Sequence, residues 1–284
     1  MGELYNDSLE HEIKFKLIES IKFQKVFEIM NKHFSLVEEG IDYVTDYYYD
    51  TADLLFLKKH MSYRIRIRDG SKRFRINFKF PDENRKYPVF TRREILSKIK
   101  MKYLNYDNPL NISCIVNQNV KGVLKSERCN KQILVPTLTI KTMRVRYWVA
   151  KKKKDIEMQD VLKRTEKFSF IHDATYKKAL GEISKNELRA SCGYFGQGLV
   201  CFDSSLFYCP QKPMLADIAQ EFEFELWNGA LCNELFSTLQ LVSNELHEAG
   251  IVGCTKSKYE DFMDCLDDKV KVEGGYEIRN RKNF

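Results

Sequence analysis

The sequence lacks the features that mark membrane-bound and secreted proteins. It contains no apolar run long enough to cross a bilayer, and its start has no signal-peptide pattern. Asn6 stands where a myristoylation signal needs serine or threonine. We therefore expect a soluble cytoplasmic protein with no membrane partner, or a nuclear one if it acts on RNA.

Three further features are absent, and each absence excludes a kind of binding site or fold. The chain has eight cysteines, but no two form a C-x-x-C pair and none stands beside histidines at zinc-site spacing. We expect mostly buried, reduced thiols rather than zinc ligands or disulfides. The glycines at positions 193, 196 and 198 form no G-x-G-x-x-G loop, which argues against that mode of nucleotide binding. No repeat of solenoid length is present.

The composition is that of a globular protein with an anionic partner. The 284 residues are 43% hydrophobic, which is enough for a sizeable core, and we expect one domain over residues 1–284. Lysine and arginine number 47 against 40 acidic residues, a net charge of +7. This excess favours a nucleic acid or a phosphate-rich ligand.

Alternating acids occur in two stretches more than two hundred residues apart. Glu10 and Glu12 are followed by Lys14 near the start, while Glu223 and Glu225 lie near the end. Because side chains alternate across a strand, each set would share one face. Carboxylates on two neighbouring strands are suitable ligands for a divalent cation such as Mg²⁺ or Mn²⁺.

Basic residues alternate in the same way along other predicted strands. The strand expected at 62–68 carries arginine at every second position. The strand at 73–80 has a polar residue at every second position, and the strand at 138–149 has Arg144 and Arg146 on one face. Asp69-Gly70 predicts a hairpin between the first two. A merely solvated sheet face usually mixes charges of both signs, whereas here the acids and the bases are segregated. Segregation suggests a shared ligand, namely a metal bound to a polyphosphate inside a closed barrel.

Helices are expected around these strands. Residues 20–34, 229–249 and 259–266 have helical apolar spacing, which gives an α+β fold in which helices cover the outward apolar faces of the barrel. Residues 97–132 and 155–197 have no clear period and are expected to be inserts. The chain from 267 to 284 is expected to be a polar tail.

The motifs, in this order, resemble those of the CYTH superfamily, the triphosphate tunnel metalloenzymes. The resemblance covers most of the chain and rests on E-x-E-x-K at Glu10, Glu12 and Lys14; Y-Y-D-T at Tyr48 to Thr51; R-x-R at Arg64 and Arg66; Lys79; R-x-E at Arg92 and Glu94; R-x-R at Arg144 and Arg146; Asp203; and E-x-E at Glu223 and Glu225.

The resemblance implies an eight-stranded antiparallel barrel with a polar interior and metal-dependent attack of water on a terminal phosphoryl group. It assigns Glu10, Glu12, Glu223 and Glu225 to Mg²⁺ or Mn²⁺, and makes Glu10, Glu12, Glu94 and Asp203 the expected catalytic residues. It assigns the triphosphate to Lys14, Arg64, Arg66, Lys79, Arg92, Arg144 and Arg146. In the second half, Lys141, Lys163, Arg164 and Lys167 compete for tunnel positions.

Four functions fit these residues. The first is hydrolysis of a small triphosphate such as inorganic triphosphate, thiamine triphosphate or a nucleotide. The second is an RNA 5′-triphosphatase of mRNA capping, because KRTEKFSFIHD at 163–173 is similar to a basic strand of those enzymes. The third is an adenylate cyclase of the class found in the superfamily, and the fourth is a non-catalytic polyphosphate-binding module. The oligomeric state is not encoded in any recognisable pattern.

Overall fold

The computed structural model describes residues 6–17, 21–71, 73–81, 89–100, 110–111, 122, 124–125, 133–151, 198–226 and 233–272. Its elements are β1 (Asn6–Leu17), α1 (Ile21–His33), β2 (Phe34–Thr51), α2 (Leu55–Lys58), β3 (Ser62–Arg68), β4 (Arg73–Lys79), β5 (Phe90–Lys100), β6 (Leu110–Asn111), β7 (Ile133–Lys151), β8 (Gly198–Cys209), β9 (Lys212–Leu226), α3 (Asn233–Glu248), β10 (Val252–Gly253) and α4 (Lys258–Val272).

Eight of the strands close into an antiparallel barrel. Their order is β1-β5-β4-β3-β2-β7-β8-β9, and β9 returns to pair with β1. The short strands β6 and β10 add to β7 and β1. The eight-stranded antiparallel barrel that the resemblance implied is therefore confirmed.

Period-two alternation explains which face of each strand is inside. On β3 the apolar residues Tyr63 and Ile65 are buried against the outer layer, while the intervening arginines face the interior. The Asp69-Gly70 turn joins β3 to β4 as expected, and Gly70 adopts a positive φ of 74°, which glycine tolerates best. The barrel interior is accordingly charged.

Two apolar clusters cover the outside of the barrel. One packs α1 and α3 against outward residues of β1, β8 and β9, including Phe15 and Phe224. The other packs α2, through the fully buried Phe56, against β3, β4 and β5. Helices thus shield the apolar faces, as the sequence predicts.

A third cluster closes one end of the barrel. Here α4 packs against Leu138 and Phe207 of β7 and β8. The ring of Phe262 stacks on that of Phe207 with centroids 4.1 Å apart, and Tyr259 stacks on Tyr48 at 5.2 Å. Helix α4 is therefore a plug for the interior.

Some boundaries differ from expectation. Strand β5 continues to Lys100, so the barrel uses the first residues of the expected insert at 97–132, where β6 also lies. Helix α4 continues to Val272 and includes the first residues of the expected polar tail, because charged residues are compatible with an exposed helix face. The expected insert at 155–197 and residues 273–284 lie outside the described residues.

The expectations about the cysteines and about membrane-spanning segments can be compared with this fold. Among the described residues, the free cysteines are Cys201, Cys209, Cys254 and Cys265, of which Cys201 and Cys254 are buried. The other four cysteines lie outside those residues. No helix in the described ranges is long and apolar enough to span a membrane.

Candidate active site

Charged side chains surround a cavity inside the barrel. They come from strands on all sides and from the start of α4, because alternation directs every second residue of each strand inward. The cavity is lined by Glu12, Lys14, Tyr48, Ser62, Arg64, Arg66, Lys79, Arg92, Arg144, Glu223, Glu225, Ser257 and Lys258. Cationic groups outnumber carboxylates there.

Most of the residues singled out from the sequence line this cavity, and the others lie close to it. Glu10 and Glu94 approach Lys79, with 2.5 Å and 3.8 Å between their carboxylate oxygens and its Nζ. Asp203 accepts two hydrogen bonds from the Arg144 guanidinium, at 2.6 and 2.7 Å. Arg146 lies further along β7 and pairs with Asp42 at 2.9 Å.

A compact ion network occupies the plugged end of the interior. Asp203, Glu221 and Glu223 lie within reach of one another, and the first two are fully buried. Lys258 contacts all three, while Lys14 pairs with Glu221 at 2.6 Å. Arg144 adds a bond to Glu223 at 2.6 Å. Three cations therefore balance the charge of three carboxylates, whose oxygens also lie close enough together to hold a metal ion.

A second set of carboxylates lines the wall where the barrel closes. Glu12 on β1 is directly opposite Glu225 on β9. Arg92 pairs with Glu12, and Lys79 donates to Glu10 at 2.5 Å. Burial, opposed by Arg144 and reinforced by Glu10 and Glu223, raises the pKa of Glu225 to about 7. These carboxylates repel one another.

The carboxylate wall offers the oxygen ligands that a divalent cation prefers. The charge of such a hard cation would favour the ionised form of Glu225, whose pKa is raised mainly by burial. Glu12, Glu223 and Glu225 all present their side chains to the cavity. The donor set is therefore compatible with Mg²⁺ or Mn²⁺, with Glu10 beside it.

The opposite wall is built from arginines ordered by one aspartate. Asp46 accepts from Arg66 Nε at 2.6 Å and Nη2 at 2.7 Å, and Arg64 Nη1 lies 3.5 Å away. Burial alone would raise the pKa of Asp46, but Arg66 and Arg64 hold it well below its usual range. Arg64 Nε is buried without a hydrogen-bond partner among the described residues. A ligand oxygen would satisfy it.

The order of these strands and motifs is matched by a known family. A family model described as the CYTH domain fits residues 8–191, more than half of the chain. The chain belongs to the CYTH domain family. The strands β8 and β9, which carry Asp203, Glu223 and Glu225, lie beyond the matched range but complete the same barrel.

Comparisons with individual proteins give only remote likenesses. No curated protein matches the sequence. Similar solved structures include a candidate adenylate cyclase from Bacillus halodurans (16% identity, TM-score 0.49, 90% of this chain and 98% of that chain covered). Another is a candidate adenylyl cyclase from Hippeastrum with a dominant triphosphatase activity (12%, 0.42, 97% and 100%). A Pyrococcus horikoshii protein also aligns (15%, 0.42, 90% and 99%). At these values the likenesses carry no inference about activity.

Sequence reasoning missed Lys258, which α4 brings into this CYTH cavity. A lysine at a helix N-terminus opposes the helix dipole, so its place there depends on the carboxylates around it. The start of α4 has a local signal, because Ser257 and Glu260 form a reciprocal capping box, with N···O distances of 2.7 and 3.2 Å. That S-x-x-E pattern could have located the helix start, but only the fold shows where Lys258 points.

The Y-Y-D-T segment of the CYTH pattern serves mainly to hold the helices. Asp50 is buried and accepts from the backbone N–H groups of Phe56 and Leu57 of α2 and from the hydroxyl of Tyr259 of α4. Tyr48 faces the cavity, where its hydroxyl accepts from Arg64 at 3.2 Å. Asp50 thus positions the plug rather than the ligand.

Lys141 is one of the four basic residues expected to compete for tunnel positions, and the structure shows which way it points. The side chain of Lys141 is exposed and lies over the Tyr208 ring, so the expectation that it competes for a tunnel position is wrong. Its odd position on β7 places it on the face opposite Arg144. Lys163, Arg164 and Lys167 lie outside the described residues.

Proposed function

We propose that this protein is a divalent-metal-dependent hydrolase that releases the terminal phosphate from a triphosphate. Inorganic triphosphate, thiamine triphosphate and nucleotides are the candidate substrates. The observation that carries the proposal is a cavity lined by carboxylates and a larger number of basic groups, with Arg64 and Arg66 across the barrel from Glu12 and Glu225. A triphosphate with its cation has the complementary distribution of charge.

The basic side chains would bind and orient the phosphate chain. Arg64 and Arg66 are held by Asp46, so their guanidinium groups are pre-organised before the ligand arrives. Arg64 Nε remains able to donate. Charge-assisted hydrogen bonds from such fixed donors stabilise the charge on phosphoryl oxygens as the terminal group is transferred.

The carboxylates Glu12, Glu223 and Glu225, with Glu10 adjacent, would hold the cation. When bound, the cation supplies Lewis-acid polarisation of the phosphoryl group. Burial raises the pKa of Glu225, and a bound cation would shift the group back towards the ionised form that ligates metal. Glu94 is not among the residues that line the cavity. Its carboxylate accepts a hydrogen bond from Asn77 at 2.6 Å and lies 3.8 Å from Nζ of Lys79, which it helps to position.

A substrate panel tests this proposal. Tripolyphosphate, thiamine triphosphate, ATP and a 5′-triphosphorylated RNA would each be incubated with the protein and Mg²⁺ or Mn²⁺, and the products separated. Free phosphate from a small triphosphate is the expected result. Preferential release from RNA would instead indicate a capping triphosphatase, and pyrophosphate with cyclic AMP would indicate a cyclase. No product with any substrate would contradict enzymatic function.

A further inference from the structure

Three arginines converge at the end of the barrel that α4 does not plug. Arg68 of β3, Arg75 of β4 and Arg146 of β7 form this group, which we call the rim cluster, together with Asp42 of β2. Asp42 Oδ2 lies 3.2 Å from Arg68 Nη2 and 2.9 Å from Arg146 Nη2. Arg75 lies directly opposite Arg66 on the neighbouring strand, and its side chain is exposed.

The rim cluster continues the cavity outward. Arg64, Arg66 and Arg68 occupy successive inward positions on β3, so Arg68 lies about 13 Å along the strand from Arg64. On β7, Leu138 contacts the plug, Arg144 lines the cavity and Arg146 comes next. Both strands therefore run from the plug through the cavity to the rim.

Charge is balanced differently at the two ends. At the plug, Lys14, Lys258 and Arg144 face an equal number of carboxylates. At the rim, Asp42 is the carboxylate that pairs with Arg68 and Arg146 among the described residues, and Arg75 also lies near it and near Glu94. Partial burial and the neighbouring Arg146, Arg75 and Arg66, opposed by Asp42, lower the pKa of Arg68 to about 10. Positive charge is therefore in excess at the mouth, and an anion would relieve it.

We propose that the rim cluster is an anion subsite that receives a phosphoryl group beyond the first three of a linear inorganic polyphosphate. This inference rests on the proposed function, because the triphosphate in the cavity sets where the chain begins. Evenly spaced arginines on one strand suit a ligand with a repeating charge. The inner cavity would bind the terminal phosphates, and the rim would distinguish longer chains from tripolyphosphate.

The described side chains beside the rim arginines offer no ring on which a base could stack, which favours polyphosphate over nucleic acid. Single-stranded nucleic acids are usually bound through aromatic side chains on which bases stack. Among the described inward positions near the rim, Val44 is the neighbour of the arginines, whereas Tyr43 and Tyr147 lie on the outer face of their strands. Guanidinium groups alone recognise phosphate without reading a base.

Equilibrium binding tests the subsite. The double variant Arg68→Gln/Arg75→Gln would be titrated calorimetrically with tripolyphosphate and with linear hexapolyphosphate, with divalent cations chelated so that no turnover occurs. Arg93→Gln/Lys141→Gln is the matched control, since it removes two positive charges from exposed positions on the outer face. A 5′-triphosphorylated RNA oligonucleotide completes the panel.

We expect the wild type to bind hexapolyphosphate more tightly than tripolyphosphate, and the rim variant to weaken the longer ligand by about tenfold more than the shorter one. Equal weakening of both, an equal effect of the control, or no preference in the wild type would overturn the subsite. A larger rim-dependent loss with RNA would overturn its assignment to polyphosphate. Rim-dependent binding of hexapolyphosphate without binding of tripolyphosphate would support the subsite and overturn the proposed function.

Discussion

Asp46 shows how a single buried residue prepares the cavity for an anion. It fixes the guanidinium of Arg66 in a two-pronged ion pair and lies near that of Arg64, while its own side chain is almost inaccessible to solvent. Such a pair contributes little to stability compared with well-packed apolar residues, but breaking it leaves buried charge without a partner. Its main effect is therefore to orient two ligand-binding groups.

The ionisation of Asp46 predicts a dependence of stability on acid. Its folded-state pKa is depressed, so the unfolded state binds more protons in acid, and the stabilisation is present above about pH 4 and lost as the pH falls below it. Asp46→Asn should lower the free energy of unfolding at neutral pH by about 3 kcal/mol and flatten its decline between about pH 5 and about pH 3. Urea unfolding at several pH values measures both.

Asp264→Asn is the control for this prediction. Asp264 forms an ion pair with Lys256 in which both side chains are more than half exposed, and such pairs contribute little. An equally steep acid decline in the Asp46 variant and the wild type would contradict the assigned role.

Single residues could be assigned to a face from the sequence, but their partners could not. Alternation alone put Glu12, Arg64 and Arg144 inside the barrel. It did not indicate that Asp46 and Asp42 order the arginines, because a lone aspartate in a tyrosine-rich strand has no distinguishing pattern. Lys258 was missed for a similar reason, since it belongs to a helix and enters the cavity only through tertiary packing.

Strands with strict alternation were the elements that the sequence predicted best. The bounds of β3 agree with expectation at both ends, and β4 differs by one residue. The first half of β9 was not expected, since its outward Ile218 is exposed and the segment lacks regular alternation. Helix α4 was expected, but its function as a plug was not, because amphipathicity does not reveal which surface a helix covers.

The anchoring of α4 leads to a prediction about Tyr259. Its hydroxyl donates to Asp50 Oδ2 at 2.9 Å and lies 3.1 Å from Thr137 Oγ1, and all three groups are buried. Tyr259→Phe should lower the free energy of unfolding by about 2 kcal/mol, because buried acceptors lose their partner. The KM for tripolyphosphate should rise, since Ser257 and Lys258 next to it line the cavity.

Urea unfolding and steady-state kinetics measure these two effects. Tyr43→Phe removes a hydroxyl from a side chain that is 53% exposed on the outer face and should change neither quantity. If the Tyr259 variant matched this control, α4 would not be held by that hydrogen bond.

Closure of the barrel brings the two ends of the chain together. The direct pairing of Glu12 with Glu225 joins residues more than two hundred positions apart and completes the carboxylate wall. The sequence suggested that these acids would meet, but strand order and register depend on how all eight strands pack. The resulting charge distribution, balanced at the plug and with arginines clustered at the other end, is a property of the whole fold.

The whole account depends on a cation at the carboxylate wall. The most direct measurement is phosphate release from tripolyphosphate by the wild type, by Glu12→Gln and by Glu28→Gln, with Mg²⁺ or Mn²⁺ and with EDTA. Glu12→Gln removes one charge and preserves the side-chain shape, whereas Glu28 is half exposed on α1. We predict activity in the wild type and the Glu28 variant only with the cation, and a loss of about 100-fold or more in the Glu12 variant. Full activity in the Glu12 variant, or release in EDTA, would contradict the account.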